Sequence, residues 1–263
     1  MAKRKSFRSF VRSRVAARSY AARKRAFYRA RKKRSRRTRF ARMYRNPLGL
    51  MNQKAVLHYI DDISLDPKPN NLGSTGSNVW QFSANSLYDP DTTGVGHQPM
   101  YFDNFMEVYQ RYRVNFAIIT VTVVNHFVNT SVDHGGVITT QPNYSYKLFI
   151  AADNTSYTAE YAATMNTQLE EGGRTLKWRF IAPSLTGKLP KLKHTLSPHH
   201  LAGVPFKDDT LSGTVLASPS QPAYFYIGIT SADGATDPPS VYLNVHIKYY
   251  CEFWDRKTIQ AQN

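Results

Sequence analysis

Hydrophobic and polar residues alternate most regularly near the carboxy-terminal end, where Leu243, Val245, Ile247 and Tyr249 interleave with Tyr242, Asn244, His246 and Lys248. A period of two sends the first set to one face of a strand and the second to the other, so a half-buried strand is predicted over Val241–Phe253. Enrichment in β-branched and aromatic residues predicts further strands over Lys54–Leu65, Asn78–Phe82, Tyr112–Val128, Tyr144–Ala151, Arg174–Ala182 and Tyr224–Thr230. In Tyr112–Val128 the alternation is imperfect. The connectors Asp66–Asn71, Asp133–Gly136 and Ser231–Pro239 are rich in turn residues. Two segments predict helix: Pro99–Gln110, with Phe102, Phe105, Met106 and Tyr109 in one stripe, and more weakly Ala159–Gln168. Strands with long connections and no βαβ alternation indicate an all-β fold. The expected form is an antiparallel eight-stranded jelly-roll sandwich. An immunoglobulin-like sandwich is the alternative, but its Cys…Trp…Cys spacing is absent.

Charge changes this picture only once it is placed along the chain. The net charge is +17, from 35 Lys+Arg against 18 Asp+Glu. Residues 1–45 hold 20 of the basic residues and none of the acidic ones, which leaves 15 against 18 for residues 46–263, a net of −3. The expected organisation is a polycationic arm, 1–45, on a near-neutral sandwich, 46–263. The apolar run from Phe116 to Val124 is short of the ~20 residues a bilayer requires, so no membrane insertion is expected. Met1-Ala2-Lys3-Arg4-Lys5 leads into no apolar stretch, so no secretory leader is expected. The triplets at Asn129, Asn143 and Asn154 are then ordinary loop residues rather than glycan acceptors.

A segment this dense in like charge repels itself and cannot collapse around a core, so the arm is expected to be disordered or a fluctuating helix. Ala, Arg and Lys dominate from Arg14 to Lys33, so phosphate neutralisation should let part of it become helical. Arginine pairs with phosphate in a bidentate way and stacks on bases. Tyr20, Phe27, Tyr28, Phe40 and Tyr44 are placed to stack on unpaired bases, although Phe40, Met43 and Tyr44 are equally suited to packing under the body. The residues assigned to nucleic-acid contact are Arg4, Arg12, Arg14, Arg18, Arg23, Lys24, Arg25, Arg31, Lys32, Lys33, Arg34, Arg36 and Arg37. Binding of this kind depends steeply on salt and reads little sequence. The run Arg29–Arg37 also has the composition of a nuclear import signal.

Candidate chemistry adds little. The one cysteine, Cys251, excludes an intrachain disulfide and a Cys-based zinc site. His194, His199 and His200 are grouped, but Lys191-Leu192-Lys193-His194 reads as a basic surface loop, and no metal or other cofactor is expected. Lys188, Lys191 and Lys193 are expected to be solvated, with nucleic-acid contact as the alternative. His97 is expected to be a buried hydrogen-bonding residue. The adjacent carboxylates Asp61-Asp62, Glu170-Glu171 and Asp208-Asp209 would point apart on extended backbone. No phosphate loop, nucleophile elbow or zinc-protease pair occurs, so no enzyme is expected.

Asn85-Ser86-Leu87-Tyr88-Asp89-Pro90, then Gly96-His97-Gln98-Pro99-Met100-Tyr101-Phe102-Asp103, then Tyr109, Tyr112 and Val114, resemble the capsid proteins of circovirus-like single-stranded DNA viruses. These viruses have small circular genomes and encode a rolling-circle replication initiator. The match covers about thirty residues, and the order of a basic arm and a sandwich extends it to the level of organisation. The resemblance implies a jelly-roll subunit, about sixty copies of which close into the simplest icosahedral shell. It also implies an arm that faces the lumen, binds a single-stranded DNA genome and engages host nuclear import receptors, so that the protein is found in the virion and the host nucleus. Sixty arms of 20 charges would supply about 1,200 positive charges, enough to offset a large part of one or two kilobases. The rival functions are a ribosomal or other RNA-binding structural protein, and an enzyme or lectin on a sandwich scaffold. The first usually carries basic residues over its body as well, unlike the net of −3 here.

Overall fold

A computed structural model of the chain describes residues 51–68, 78–94, 96–124, 130–132, 138–140, 144–155, 170, 175–182 and 189–257. The strands are β1 (Gln53–Leu65), β2 (Val79–Ser83), β3 (Tyr109–Val123), β4 (Thr130–Val132), β5 (Ile138–Thr140), β6 (Tyr146–Asp153), β7 (Leu176–Ile181), β8 (Lys191–Leu196), β9 (Ser212–Gly213), β10 (Tyr224–Ser231) and β11 (Val241–Arg256). Among the described residues, two short α-helices, α1 (Phe102–Val108) and α2 (Pro198–Ala202), and a 3-10 turn at Asp209–Leu211 lie between them. One sheet has the order β1-β11-β3-β8, with β9 added to β3, and the other the order β2-β10-β6-β7. The small β4-β5 pair is separate from both.

With β4, β5 and β9 set aside, the first body strand pairs with the last, β1 with β11, and the second with the second-last, β2 with β10. The third pairs with the sixth, β3 with β8, and the fourth with the fifth, β6 with β7. All of these pairs are antiparallel, which is a long hairpin folded over on itself: the jelly roll expected from the sequence. The extra pairings β11–β3 and β10–β6 knit the rolled hairpin into two sheets.

Alternation sets the core. In β11, Val241, Leu243, Val245, Ile247, Tyr249, Cys251 and Phe253 are buried, while their even-numbered neighbours are exposed or half-buried. They meet Phe82, Leu148, Ile150, Phe225, Ile227 and Ile229 of the opposite sheet in one apolar cluster. The imperfect pattern of the third segment has a physical cause. Tyr250 lies opposite Phe116 but Cys251 lies opposite Val114, so Asn115 is an extra residue in β3. The bulge changes the parity of the buried positions from Tyr112 and Val114 to Ala117, Ile119, Val121 and Val123.

Several expectations are corrected. The Pro99–Gln110 helix is shorter, Phe102–Val108, and Tyr109 and Gln110 already belong to β3. The Lys191–His194 run is not a loop but strand β8, paired to β3. The strand ending at Val128 stops at Val123, and residues 125–128 lie outside the described residues. The Ala159–Gln168 helix also falls outside them.

Candidate nucleic-acid interface

The arm, 1–45, and its assigned contact residues Arg4, Arg12, Arg14, Arg18, Arg23, Lys24, Arg25, Arg31, Lys32, Lys33, Arg34, Arg36 and Arg37 lie outside the described residues. So does Lys188. The described part starts at Met51, two residues before β1. What the structure adds is therefore the body that the arm joins.

The motif residues that carry the family resemblance are architectural here. Tyr112 is fully buried, and its hydroxyl accepts from the backbone N–H groups of Leu87 at 3.1 Å and Tyr88 at 3.4 Å. The Asn85 amide donates to the Gln221 carbonyl at 2.8 Å, and its oxygen accepts from the Ala223 N–H at 3.1 Å. Ser86 accepts from the Asp89 N–H and lies 2.8 Å from the Ser218 hydroxyl. Buried polar groups need partners, and these bonds satisfy the loop between β2 and α1 while seating it on β3. Phe102 meets the Tyr112 ring edge-on and Phe105 stacks on Phe253, which docks α1 to the same place. His97 is exposed rather than buried: it stacks on Tyr59 with ring centroids 4.6 Å apart.

The histidines divide by environment. His194, on β8, is buried against Phe225 with Nε2 3.0 Å from the Thr175 carbonyl. Burial depresses its pKa, the bond to Thr175 opposes that, and Lys177 adds to it. His199 and His200 sit on α2 with ring centroids 4.0 Å apart, and desolvation, then His200 and Arg113, hold His199 below the usual value. The three do not converge, and among the described residues no group of three or more His, Cys, Asp or Glu is placed to hold a metal ion. Cys251 is buried, its thiol pushed up to about 12 by that burial, so it is not a nucleophile at neutral pH.

The adjacent carboxylates also separate. Asp61 accepts from the Tyr59 hydroxyl at 2.9 Å, whereas Asp62 accepts from the Asn244 amide at 2.7 Å. Asp208 caps a turn by accepting from the Thr210 N–H, and Asp209 lies 3.6 Å from Arg111. Glu170 is described but Glu171 is not.

The solvent face of the β1-β11-β3-β8 sheet is different from the rest of the body. Its cross-strand rows are fixed by register. From one end they are Lys54–Glu252–Arg113, then Val56–Tyr250–Phe116, then His58–Lys248–Ile118–Thr195. Ile60–His246–Thr120–Lys193 and Asp62–Asn244–Thr122–Lys191 follow. Phe116 and Tyr250 are half-buried and stacked, with centroids 4.1 Å apart and planes 17° apart. Val56 and Ile60 are exposed on β1. His58 Nδ1 and His246 Nε2 are 2.9 Å apart, and desolvation, then His58 and Lys248, depress the His246 pKa. At the first row the buried Arg113 guanidinium lies between the rings of Trp254 and Phe206, 4.8 and 5.0 Å from their centroids, and 3.6 Å from Glu252. A cleft of about 200 Å³ beside it is lined by Asn52, Arg113, Lys207, Asp209, Glu252 and Trp254, with two cations and two carboxylates in balance.

Comparison with known proteins returns matches among solved structures alone. No protein-family model matches the chain, and no curated protein sequence does. A Desmodium yellow mottle tymovirus chain is 14% identical with a TM-score of 0.37, covering 82% of this chain and 96% of its own. The semi-empty virus-like particle of the nodavirus of the giant freshwater prawn Macrobrachium rosenbergii is 11% identical with a TM-score of 0.44, over 81% of this chain and 100% of that one. The decameric BFDV capsid protein is 11% identical with a TM-score of 0.38, over 77% and 98%. No helix among the described residues is long and apolar enough to cross a membrane.

Proposed function

We propose that the chain is a viral coat subunit of the circovirus-like kind. It self-assembles into a small icosahedral shell of about sixty copies and packages circular single-stranded DNA through its basic arm. The observation that carries this reading is the partition of charge: 20 cations and no acids in residues 1–45, against a net of −3 on the remainder. A near-neutral body lets copies approach without mutual repulsion, while the charge of the arm is cancelled by the polyanion it binds. The jelly-roll order of the strands and the motif from Asn85 to Val114 support the same reading. In it, Arg4 to Arg37 neutralise phosphates, the aromatics Tyr20, Phe27 and Tyr28 stack on bases, and the Arg29–Arg37 run engages host import receptors. The protein is then found in the virion and, before assembly, in the host nucleus.

Electron microscopy of the purified full-length protein, with extraction of bound nucleic acid, tests it. Closed particles containing single-stranded DNA are expected. A chain that stays a single subunit in the presence of oligonucleotides at low ionic strength overturns the proposal. Replacing Arg31, Lys32, Lys33, Arg34, Arg36 and Arg37 by Ser should lower DNA retention and leave the body folded.

A further inference from the structure

We propose that the solvent face of the β1-β11-β3-β8 sheet is a second binding surface for single-stranded nucleic acid, with phosphates paired to Lys54, Lys248, Lys193 and Lys191 and bases stacked on Tyr250 and Phe116. This deepens the packaging reading and rests on the chain meeting nucleic acid at all.

Charge is the first ground. The body as a whole carries more acid than base, yet this face gathers four lysines from three strands. Its two carboxylates are already engaged: Asp62 accepts from Asn244, and Glu252 lies beside the buried Arg113. A second copy of the same face would bring lysines against lysines, so the complementary occupant is a polyanion.

Shape and chemistry are the second ground. The second row, Val56, Tyr250 and Phe116, lies between the rows of Lys54 and Lys248 and is an apolar strip that water solvates poorly and a base covers well, with Ile60 two rows farther along β1. Every base has a π-face, so a stacked aromatic pair on an open sheet binds bases without choosing among them. Rows of side chains recur every two residues, about 7 Å along a strand, so the rows from Lys54 to Lys191 span some 25–30 Å. That is room for several nucleotides, within the ~4–16 that single binding domains of this type occupy. Stacking of this kind takes bases that are unpaired, which favours single strands over duplex.

Position is the third ground. Lys54, the second residue of β1, follows the last arginine of the cationic segment, Arg45, by nine positions in sequence, with only uncharged residues between. Nucleic acid held by the arm is then bound to the same chain through a short covalent link, and a second contact gains from a raised effective concentration.

The test is photo-cross-linking of the full-length chain to a 5-iodouracil-substituted single-stranded DNA oligonucleotide of about 30 nucleotides, with the linked peptides mapped. Links at Tyr250 or Phe116, together with links at arm aromatics, are expected. Links confined to residues 1–45 overturn the sheet surface and leave the arm reading intact. Links on the sheet alone overturn the arm as the binder, and no links at all overturn both. In the full-length Lys193→Ser, Lys248→Ser variant, the slope of log affinity against log salt should become shallower by about 1.4, from two lost phosphate contacts at ~0.7 each. Tyr250→Leu should weaken binding about 5- to 150-fold. An unchanged slope overturns the proposal, as does a lysine variant that alters particle size with the slope intact, since that assigns the face to contact between copies.

Discussion

Two residues show how little freedom the buried positions of this body have, one on the face of the β2-β10-β6-β7 sheet turned away from the inter-sheet core and one on β8. Gly228 sits in the middle of β10, and a Cβ there would come within 1.9 Å of the Phe149 ring. Its place has nothing to do with backbone conformation: the ring of the neighbouring strand needs the space that a side chain would take. Gly228→Ala should therefore cost about 1–3 kcal/mol, the usual penalty for overpacking, read from urea midpoints. Phe149→Leu in the same chain should recover part of that loss, so the two changes are non-additive. His194 gives a pH dependence instead. Its folded pKa lies below the ordinary value near ~6.5, so between the two values the unfolded chain binds more protons than the folded one. Stability is then fully present above about pH 6.5 and falls as pH is lowered toward the depressed value. Unfolding midpoints measured from pH 8 to 5 should show this decline, and His194→Gln should flatten it.

At the scale of elements, the loop between β2 and α1 is held by a few buried hydrogen bonds as well as by the buried Leu87 side chain. Tyr112→Phe keeps the ring in place but leaves the Leu87 and Tyr88 N–H groups without their acceptor. A loss of about 1–3 kcal/mol is expected, with faster amide exchange confined to the 85–90 loop. The same motif was visible in the sequence as a resemblance, but what it does was not, because Tyr112 and Leu87 meet only when β3 is laid on the core. Strands with clean alternation, such as β11 and β1, were legible to within a few residues. β8 was not: Lys-Leu-Lys-His-Thr-Leu alternates as β11 does, but a histidine occupies an inward position, packed against Phe225 of β10 and bonded to Thr175 just before β7. The bulge at Asn115 hid the period of β3 in the same manner, by shifting its parity part-way along. His58 and His246 illustrate the limit for the candidate site. They are 188 residues apart in sequence and 2.9 Å apart in space, and only strand register brings them, with the lysine rows around them, onto one face.

For the whole molecule, if it assembles and packages nucleic acid as proposed, the decisive quantity is the charge each copy brings to the assembly. A shell is closed by short-range contacts between bodies, and the net of −3 on residues 46–263 does little to oppose them. The 20 cations of residues 1–45 are another matter, because arms gathered into one volume repel one another unless anions accompany them. Nucleic acid supplies about one negative charge per nucleotide, so a subunit with a net charge of +17 is neutralised by about 17 nucleotides. If charge sets the cargo, purified particles should contain single-stranded nucleic acid near that ratio, measured from ultraviolet absorbance together with particle mass. Replacing ten of the arm cations by Ser brings the net charge to about +7, and the retained nucleotides should fall in proportion, to about 7 per copy. A cargo that stays constant while the arm loses half its charge would show that lumen volume sets the content, and the arm would then serve to start packaging rather than to measure it.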